Sequence, residues 1–101
     1  MTSARAILER SLTEAQWQET ITDYLDLCRW RWYHVHDSRR DKAGFLDLWG
    51  VRERLVVIEV KKQDGIVSRE QWEWLFALER AGVECHVYRP SDWPEVERVL
   101  R

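Results

Sequence analysis

Apolar residues recur at helical spacing in two stretches of the chain. From Trp17 to Cys28 they fall three or four residues apart, and Thr13-Glu14-Ala15-Gln16 before them has the form of a capping box. A second stretch begins at Ser68 with the same capping-box form and ends before Gly82, a residue typical of helix C-termini. The spacing therefore predicts one helix over about residues 14–28 and another between Ser68 and Gly82.

Runs of aromatic and β-branched residues predict four strands, at about residues 31–36, 45–51, 55–61 and 83–88. The third run is apolar on both faces, which is typical of a central strand covered on both sides. The charged turn Arg52-Glu53-Arg54 joins it to the second run. A short last helix is expected after Ser91, with Pro94 in its first turn.

The predicted order of elements is α-β-β-β-α-β-α. A hairpin followed by a helical crossover to another strand gives a mixed sheet with helices on its faces. We therefore expect an α/β fold with a four-stranded mixed sheet flanked by helices. Residues 1–12 show the weakest pattern and are expected to be a lead-in to one domain formed by residues 13–101.

Composition and charge exclude several classes of protein. The chain has 101 residues, 45% of them hydrophobic, which suits one domain with a modest core. Its 16 basic and 18 acidic residues nearly cancel, so bulk electrostatic coating of nucleic acid is not expected. The longest apolar run, Leu55 to Ile58, is too short to cross a membrane, and no secretory signal is visible. Two cysteines, Cys28 and Cys85, form no disulfide framework, so a reducing cytoplasm is the expected location.

Glu59 is the residue that a purely structural role explains least well. It lies between Ile58 and Val60 in the most apolar run of the chain, where an unpaired carboxylate is costly. The period of a strand puts Lys61 on the same face. If the preceding turn centres on Glu53, Asp47 lies directly opposite Glu59, and two facing carboxylates repel each other.

A divalent cation between the two carboxylates would remove both problems. Oxygen ligands with spare coordination positions suit Mg²⁺, and Mn²⁺ can substitute for it. Lys61 beside them would supply positive charge where an attacked phosphate gathers negative charge. The alternative is a plain salt bridge between Glu59 and Lys61 at the end of a strand, since this spacing of acidic residues also occurs by chance.

Several short motifs lie in a particular order and spacing over roughly residues 13–100. They are Thr13-Glu14 with Gln18, Trp32-Tyr33-His34, Asp37-Ser38-Arg39, Gly44-Phe45-Leu46-Asp47-Leu48, Ile58-Glu59-Val60-Lys61, Ser68-Arg69-Glu70-Gln71-Trp72, and Tyr88-Arg89-Pro90-Ser91-Asp92-Trp93. Together they resemble the VRR-NUC family, the compact branch of the PD-(D/E)xK nuclease superfamily, in its short phage and bacterial form. Leu46 stands where that family has the proline of its P-D motif.

The resemblance implies a restriction-endonuclease-like core and a metal site within it. Asp47 and Glu59 would bind the metal, and the backbone carbonyl of Val60 would be a further ligand. Glu14, on the first helix, would add a carboxylate. Glu14 also has a structural interpretation, because acidic residues in the first turn of a helix favour its dipole.

The resemblance also implies roles for two residues that do not bind the metal. Lys61 would orient or polarise the attacking water. Gln71, at the start of the second predicted helix, would support Lys61 or the scissile phosphate. The alternative for Gln71 is purely local, since a glutamine at this position closes a capping box.

A basic loop precedes the Asp47 strand and could hold the DNA backbone through its phosphates. The alternative is an ordinary solvated loop. His34 and His36 share a strand face, but no Cys/His spacing completes a zinc site, so core or DNA-facing histidines are expected instead. The residues expected to contact DNA are His34, Ser38, Arg39, Arg40, Lys42 and Lys62.

The sequence thus predicts a Mg²⁺-dependent, structure-specific DNA endonuclease, for which a Holliday-junction resolvase would be one specific form. The alternative from another class is a DNA-structure-binding accessory module without efficient cleavage. A third interpretation is a small protein-interaction domain with a surface salt bridge. We expect a homodimer, and Trp30, Trp49 and Trp74 are its candidate interface residues because they lie off the main apolar stripes.

Overall fold

The computed structural model describes residues 3–35 and 44–101. It has four α-helices, α1 (Ala4–Ser11), α2 (Glu14–Leu27), α3 (Arg69–Arg80) and α4 (Trp93–Leu100), and a 3₁₀ turn at Pro90–Asp92. Its four strands are β1 (Arg31–His34), β2 (Leu48–Val51), β3 (Leu55–Val60) and β4 (Glu84–Tyr88). Within these residues no helix is both long and apolar enough to cross a membrane.

The strands form one mixed sheet in the order β1-β2-β3-β4. The first three strands pair antiparallel, and β4 pairs parallel to β3 after the crossover through α3. In the β2–β3 hairpin, Leu48 lies opposite Ile58 and Val51 opposite Leu55, so the turn centres on Glu53. The predicted mixed four-stranded sheet and the predicted register of this hairpin are confirmed.

Each face of the sheet carries its own hydrophobic core. On one face α2 and α4 cover β3 through buried residues such as Trp17, Leu25 and Leu100. On the other face, Leu75 of α3 packs with Val57 of β3. The central position predicted for β3 is confirmed, because all of its residues from 56 to 60 are buried.

The helix starts follow from local chemistry that the sequence displays. Both predicted capping boxes are present: Thr13 and Gln16 close one at α2, and Ser68 and Gln71 close the other at α3. Past the end of α3, Gly82 has a positive φ of 89°. These predicted boundaries are confirmed. They could be predicted because a cap depends on residues only three or four positions apart.

Within the stretch expected to be a lead-in, residues 4–11 form a helix, α1. Ser3 caps this helix by accepting a hydrogen bond from the Ala6 backbone N–H at 3.1 Å. None of the helix residues is buried, and Ile7 and Leu8 are exposed. Leu12, just after the helix, packs against the core beneath α2.

The strands are shorter than predicted, most clearly β2, which begins at Leu48 instead of Phe45. The indole N–H of Trp49 donates to the Leu46 carbonyl at 3.2 Å, which holds the preceding segment folded back instead of extended. At the same end of the sheet, β3 stops at Val60, although the Lys61 N–H still donates to the Tyr88 carbonyl at 3.1 Å.

Trp30 belongs to the core and is not available to a subunit interface. It is 4% exposed, and its indole N–H donates to the Leu100 carbonyl at 2.8 Å. The guanidinium groups of Arg52 and Arg54 lie over its ring, 4.4 and 5.2 Å from the ring centroid. Trp49 and Trp74 are half-buried against the core beneath α3. The charged turn therefore holds a core ring in place, a role that its charges did not reveal in the sequence.

Candidate active site

Glu59 is a fully buried carboxylate inside the central strand. The amide of Gln71 donates to its Oε2 at 3.0 Å. Its other oxygen, Oε1, is buried and has no hydrogen-bond partner. A buried carboxylate oxygen without a donor costs free energy unless a proton or a cation satisfies it.

The surroundings of Glu59 favour its neutral form. Burial raises the pKa of Glu59 above its ordinary value of 4.5, and the neighbouring Asp47 raises it further through its charge and through a hydrogen bond that a protonated Glu59 can donate. Lys61 lowers the pKa and Glu14 raises it, and the result is a pKa of about 9. Without a cation, Glu59 is therefore protonated at neutral pH.

These electrostatic effects show which predicted residues the fold brings together. Asp47 lies just before β2 and is half-buried, and the β2–β3 register continued by one residue places it opposite Glu59. Lys61 lies one residue beyond β3 and is half-buried. Glu14 is the first residue of α2 and is exposed, yet its charge reaches Glu59. The predicted constellation is thus assembled at one end of the sheet.

Gln71 uses both ends of its amide. Its carbonyl oxygen accepts from the Ser68 backbone N–H at 2.9 Å and so closes the capping box of α3. Its amide nitrogen donates to Glu59 at 3.0 Å. The capping box predicted from the sequence is confirmed, and the same side chain also contacts Glu59, a partner that the sequence did not predict.

Gly44 fixes how closely the Asp47 segment approaches α3, and the sequence-based site did not include it. Its φ is +76°, and a Cβ at this position would lie 2.4 Å from Glu70 Cβ and 2.7 Å from the Gln71 backbone nitrogen. Only glycine permits this contact, since both the backbone conformation and the space exclude a side chain. The positive φ could not be read from the sequence, where Gly44 only marks the end of a loop.

The carboxylates fit a hard divalent cation that keeps part of its water. Asp47 and Glu59 supply two carboxylates, and the unpartnered Glu59 Oε1 supplies an acceptor that lacks a donor. Across residues 3–35 and 44–101, His, Cys, Asp and Glu side chains form no group of three that could hold a metal ion. The ligands of a cation here would be Asp47, Glu59, the Val60 carbonyl and water. Mg²⁺ is commonly coordinated by one or two carboxylates together with water.

The residues expected to contact DNA are only partly described. Ser38, Arg39, Arg40 and Lys42 lie outside the described residues, as does His36. Lys62 is exposed, and its ammonium nitrogen lies 3.8 Å from an Asp64 carboxylate oxygen. His34 lies opposite Leu48, whose side chain belongs to the core beneath α2, so the fold does not bring His34 to the face that carries Glu59.

Comparisons of the chain with protein-family models, with curated proteins and with solved structures find no match.

Proposed function

We propose that this protein is a Mg²⁺-dependent DNA endonuclease with a restriction-endonuclease-like core of the VRR-NUC type. The observation that carries the proposal is Glu59, a fully buried carboxylate with one unpartnered oxygen beside Asp47 and Lys61. A structural salt bridge does not account for it, because the pKa of Glu59 is raised by burial and by Asp47 more than Lys61 lowers it. The arrangement is costly to stability and suits metal-assisted phosphodiester hydrolysis.

Each residue of the site has a distinct task in this proposal. Asp47 and Glu59 would hold the ion, with the Val60 carbonyl as a further ligand and Glu14 as an additional carboxylate. Bound Mg²⁺ would polarise the phosphate and stabilise charge on the attacking and leaving oxygens. Lys61 would orient the attacking water and offset negative charge on the phosphate. Gln71 would fix the rotamer of Glu59 through the hydrogen bond that it donates to this side chain in the structure.

Incubation of branched and linear DNA with the protein in Mg²⁺, Ca²⁺ or EDTA tests the proposal. We expect products with Mg²⁺ and Mn²⁺, none with EDTA, and binding with little cleavage in Ca²⁺. The lack of any Mg²⁺-dependent product from all substrates would contradict it. Binding without cleavage would favour the accessory module that recognises DNA structure, and neither binding nor cleavage would favour the protein-interaction domain.

A further inference from the structure

An apolar groove opens on the same face of the sheet as Glu59. Its volume is about 270 Å³, and Tyr33, Val35, Phe45 and Trp49 line it. Trp49 lies opposite Val57, which belongs to the core beneath α3, so the groove is on the α3 side. Tyr33 lies opposite Trp49 on the neighbouring strand and is 64% exposed. The groove therefore begins where the cover provided by α3 ends.

The rings in the groove are ordered by contact with one another. Phe45 and Trp49 stack with centroids 5.5 Å apart and an angle of 13° between their planes. Phe45 also meets Trp74 of α3 edge-on, with centroids 5.1 Å apart. The indole N–H of Trp49 donates to the Leu46 carbonyl, which fixes the orientation of its ring. The groove thus presents aromatic surface that is already held in position, which lowers the entropy cost of stacking another ring there.

The groove and the candidate active site lie on the same face of the sheet, a short distance apart along β2. Trp49 lies two residues from Asp47 along the chain, and the ring of Phe45 stacks on Trp49. At the rise of a strand, two residues span roughly 6–7 Å, about the length of one nucleotide unit. A DNA strand with a phosphate at Asp47 and Lys61 would therefore place an adjacent base within reach of these rings.

We propose that this groove binds an unstacked nucleobase next to the scissile phosphate, so that the substrate is DNA with unpaired bases at the cleavage position. This inference rests on the proposed nuclease function. A planar aromatic occupant suits the site because the walls are apolar and aromatic, and base–aromatic stacking tolerates any base. The groove lies just below the usual size of small-molecule pockets, which favours one ring system over a larger ligand. Bases paired within a duplex cannot enter it.

The binding experiment uses the whole chain in Ca²⁺ or EDTA, so its result does not depend on cleavage. The probes are a single-stranded oligonucleotide, its fully paired duplex, and a flapped duplex, each with 2-aminopurine at one position that is unpaired in the first and third. We expect tighter binding of the two DNAs with unpaired bases, and quenching of 2-aminopurine fluorescence when that base stacks in the groove.

Two substitutions remove groove rings, and one removes a matched ring elsewhere. Tyr33→Ala removes an exposed wall, and Phe45→Leu keeps apolar volume but removes the stacking face. Each should lose about tenfold in affinity for unpaired DNA, together with the quenching, and leave duplex binding unchanged. Phe76→Ala removes a ring that is 57% exposed on α3, away from the groove. It should change neither the affinity for unpaired DNA nor the fluorescence quenching. Circular dichroism and melting curves check that each variant is folded.

The outcomes separate this inference from the proposed function. Equal losses in Phe76→Ala and Tyr33→Ala, or quenching that survives both groove variants, would overturn the groove as a base site. Mg²⁺-dependent cleavage of fully paired DNA at the same rate as flapped DNA would also overturn it, while leaving the nuclease proposal standing. Stacking in the groove without any cleavage would keep the base site and reject the nuclease.

Discussion

At the scale of single residues, the pair formed by Asp47 and Glu59 is the centre of the candidate site. The fold places Glu59 where its ionised form is unfavourable and sets a second carboxylate against it. Natural sequences tolerate such a local conflict mainly where function requires it. The two carboxylates should therefore be dispensable for folding and indispensable for cleavage.

We expect Asp47→Asn and Glu59→Gln each to abolish Mg²⁺-dependent cleavage and to raise the melting temperature of the metal-free protein. Each substitution removes a ligand oxygen and also relieves the cost of keeping Glu59 protonated, since Glu59→Gln removes the titrating group and Asp47→Asn removes the neighbouring charge. A gel assay of cleavage and a thermal melt in EDTA measure the two effects. Wild-type cleavage rates in both variants would reject the assignment.

The raised pKa of Glu59 predicts how metal binding depends on pH. The proton that Glu59 holds up to pH about 9 must leave when a cation binds. The affinity for Mn²⁺ should therefore rise by up to about tenfold per pH unit from pH 6 to 9 and then level off. Calorimetry in buffers of different ionisation enthalpy should detect release of about one proton per ion at pH 7. Affinity that stays constant across this range would contradict the prediction.

The same pKa fixes the sign of the pH dependence of stability without metal. Because the pKa of Glu59 is higher in the folded state than its ordinary value of 4.5, its stabilising proton is fully present below that value and is lost as pH rises towards 9. In the metal-free protein, Glu59 should therefore lower the melting temperature as pH rises from about 4.5 to 9. This contribution should be missing in Glu59→Gln.

Lys61 and Lys62 are neighbours with different tasks. Lys61 is half-buried beside Glu59, whereas Lys62 is exposed near Asp64. Lys61→Ala should lower the cleavage rate by at least about 100-fold, the effect of removing one electrostatic donor from a reacting group. Lys62→Ala should mainly change DNA affinity and its dependence on salt. Single-turnover rates and binding isotherms measured side by side test this, and equal effects on the rate would count against it.

At the scale of secondary-structure elements, the approach of the Asp47 segment to the first turn of α3 is the feature that holds the site together. Gln71 joins α3 to β3 through Glu59, and Gly44 lies directly against Glu70 and Gln71. The first turn of α3 therefore fixes the Glu59 side chain on β3 through Gln71, which also closes the capping box of that helix.

Gly44→Ala and Gly82→Ala form a matched pair that measures this packing. Both glycines have positive φ, at +76° and +89°, so an alanine costs about 1–2 kcal/mol of backbone strain at either position. Only Gly44 also meets α3, whereas nothing lies within 4 Å of a Cβ at Gly82. Urea denaturation should therefore show a larger loss for Gly44→Ala, with a fall in cleavage that Gly82→Ala does not share. Equal losses would mean that the close approach is unimportant.

At the scale of the whole molecule, one chain offers one candidate site, while a duplex or junction has two strands to cut. A homodimer is the simplest way to cut them symmetrically, and two-fold dimers are the commonest oligomers. Trp30, proposed from the sequence as an interface residue, is buried in the core and no longer supports this prediction.

We expect light scattering at micromolar concentration to give about twice the chain mass of 12.3 kDa. The measurement should be made with and without DNA that contains unpaired bases, since binding can promote association. A mass equal to one chain under both conditions would rule out the dimer.

The sequence by itself determined the features that depend on near neighbours. The capping residues Thr13 and Ser68 set the starts of α2 and α3, because a cap is made three residues away. The charged turn centred on Glu53 set the register of the hairpin, and through it the opposition of Asp47 and Glu59. An acidic residue inside an apolar strand was visible without any structure, because burial follows from the strand's own pattern.

Tertiary structure alone decided the contacts between distant segments. Trp30 is in the core because Arg52, Arg54 and Leu100 meet around it. Gln71 reaches Glu59, and Gly44 lies against α3, because the crossover lays that helix across the hairpin. The aromatic groove exists because α3 covers only part of its sheet face. Periodicity tells which face a side chain takes, but the partners on that face depend on how the elements pack, and the chain encodes this only as a whole.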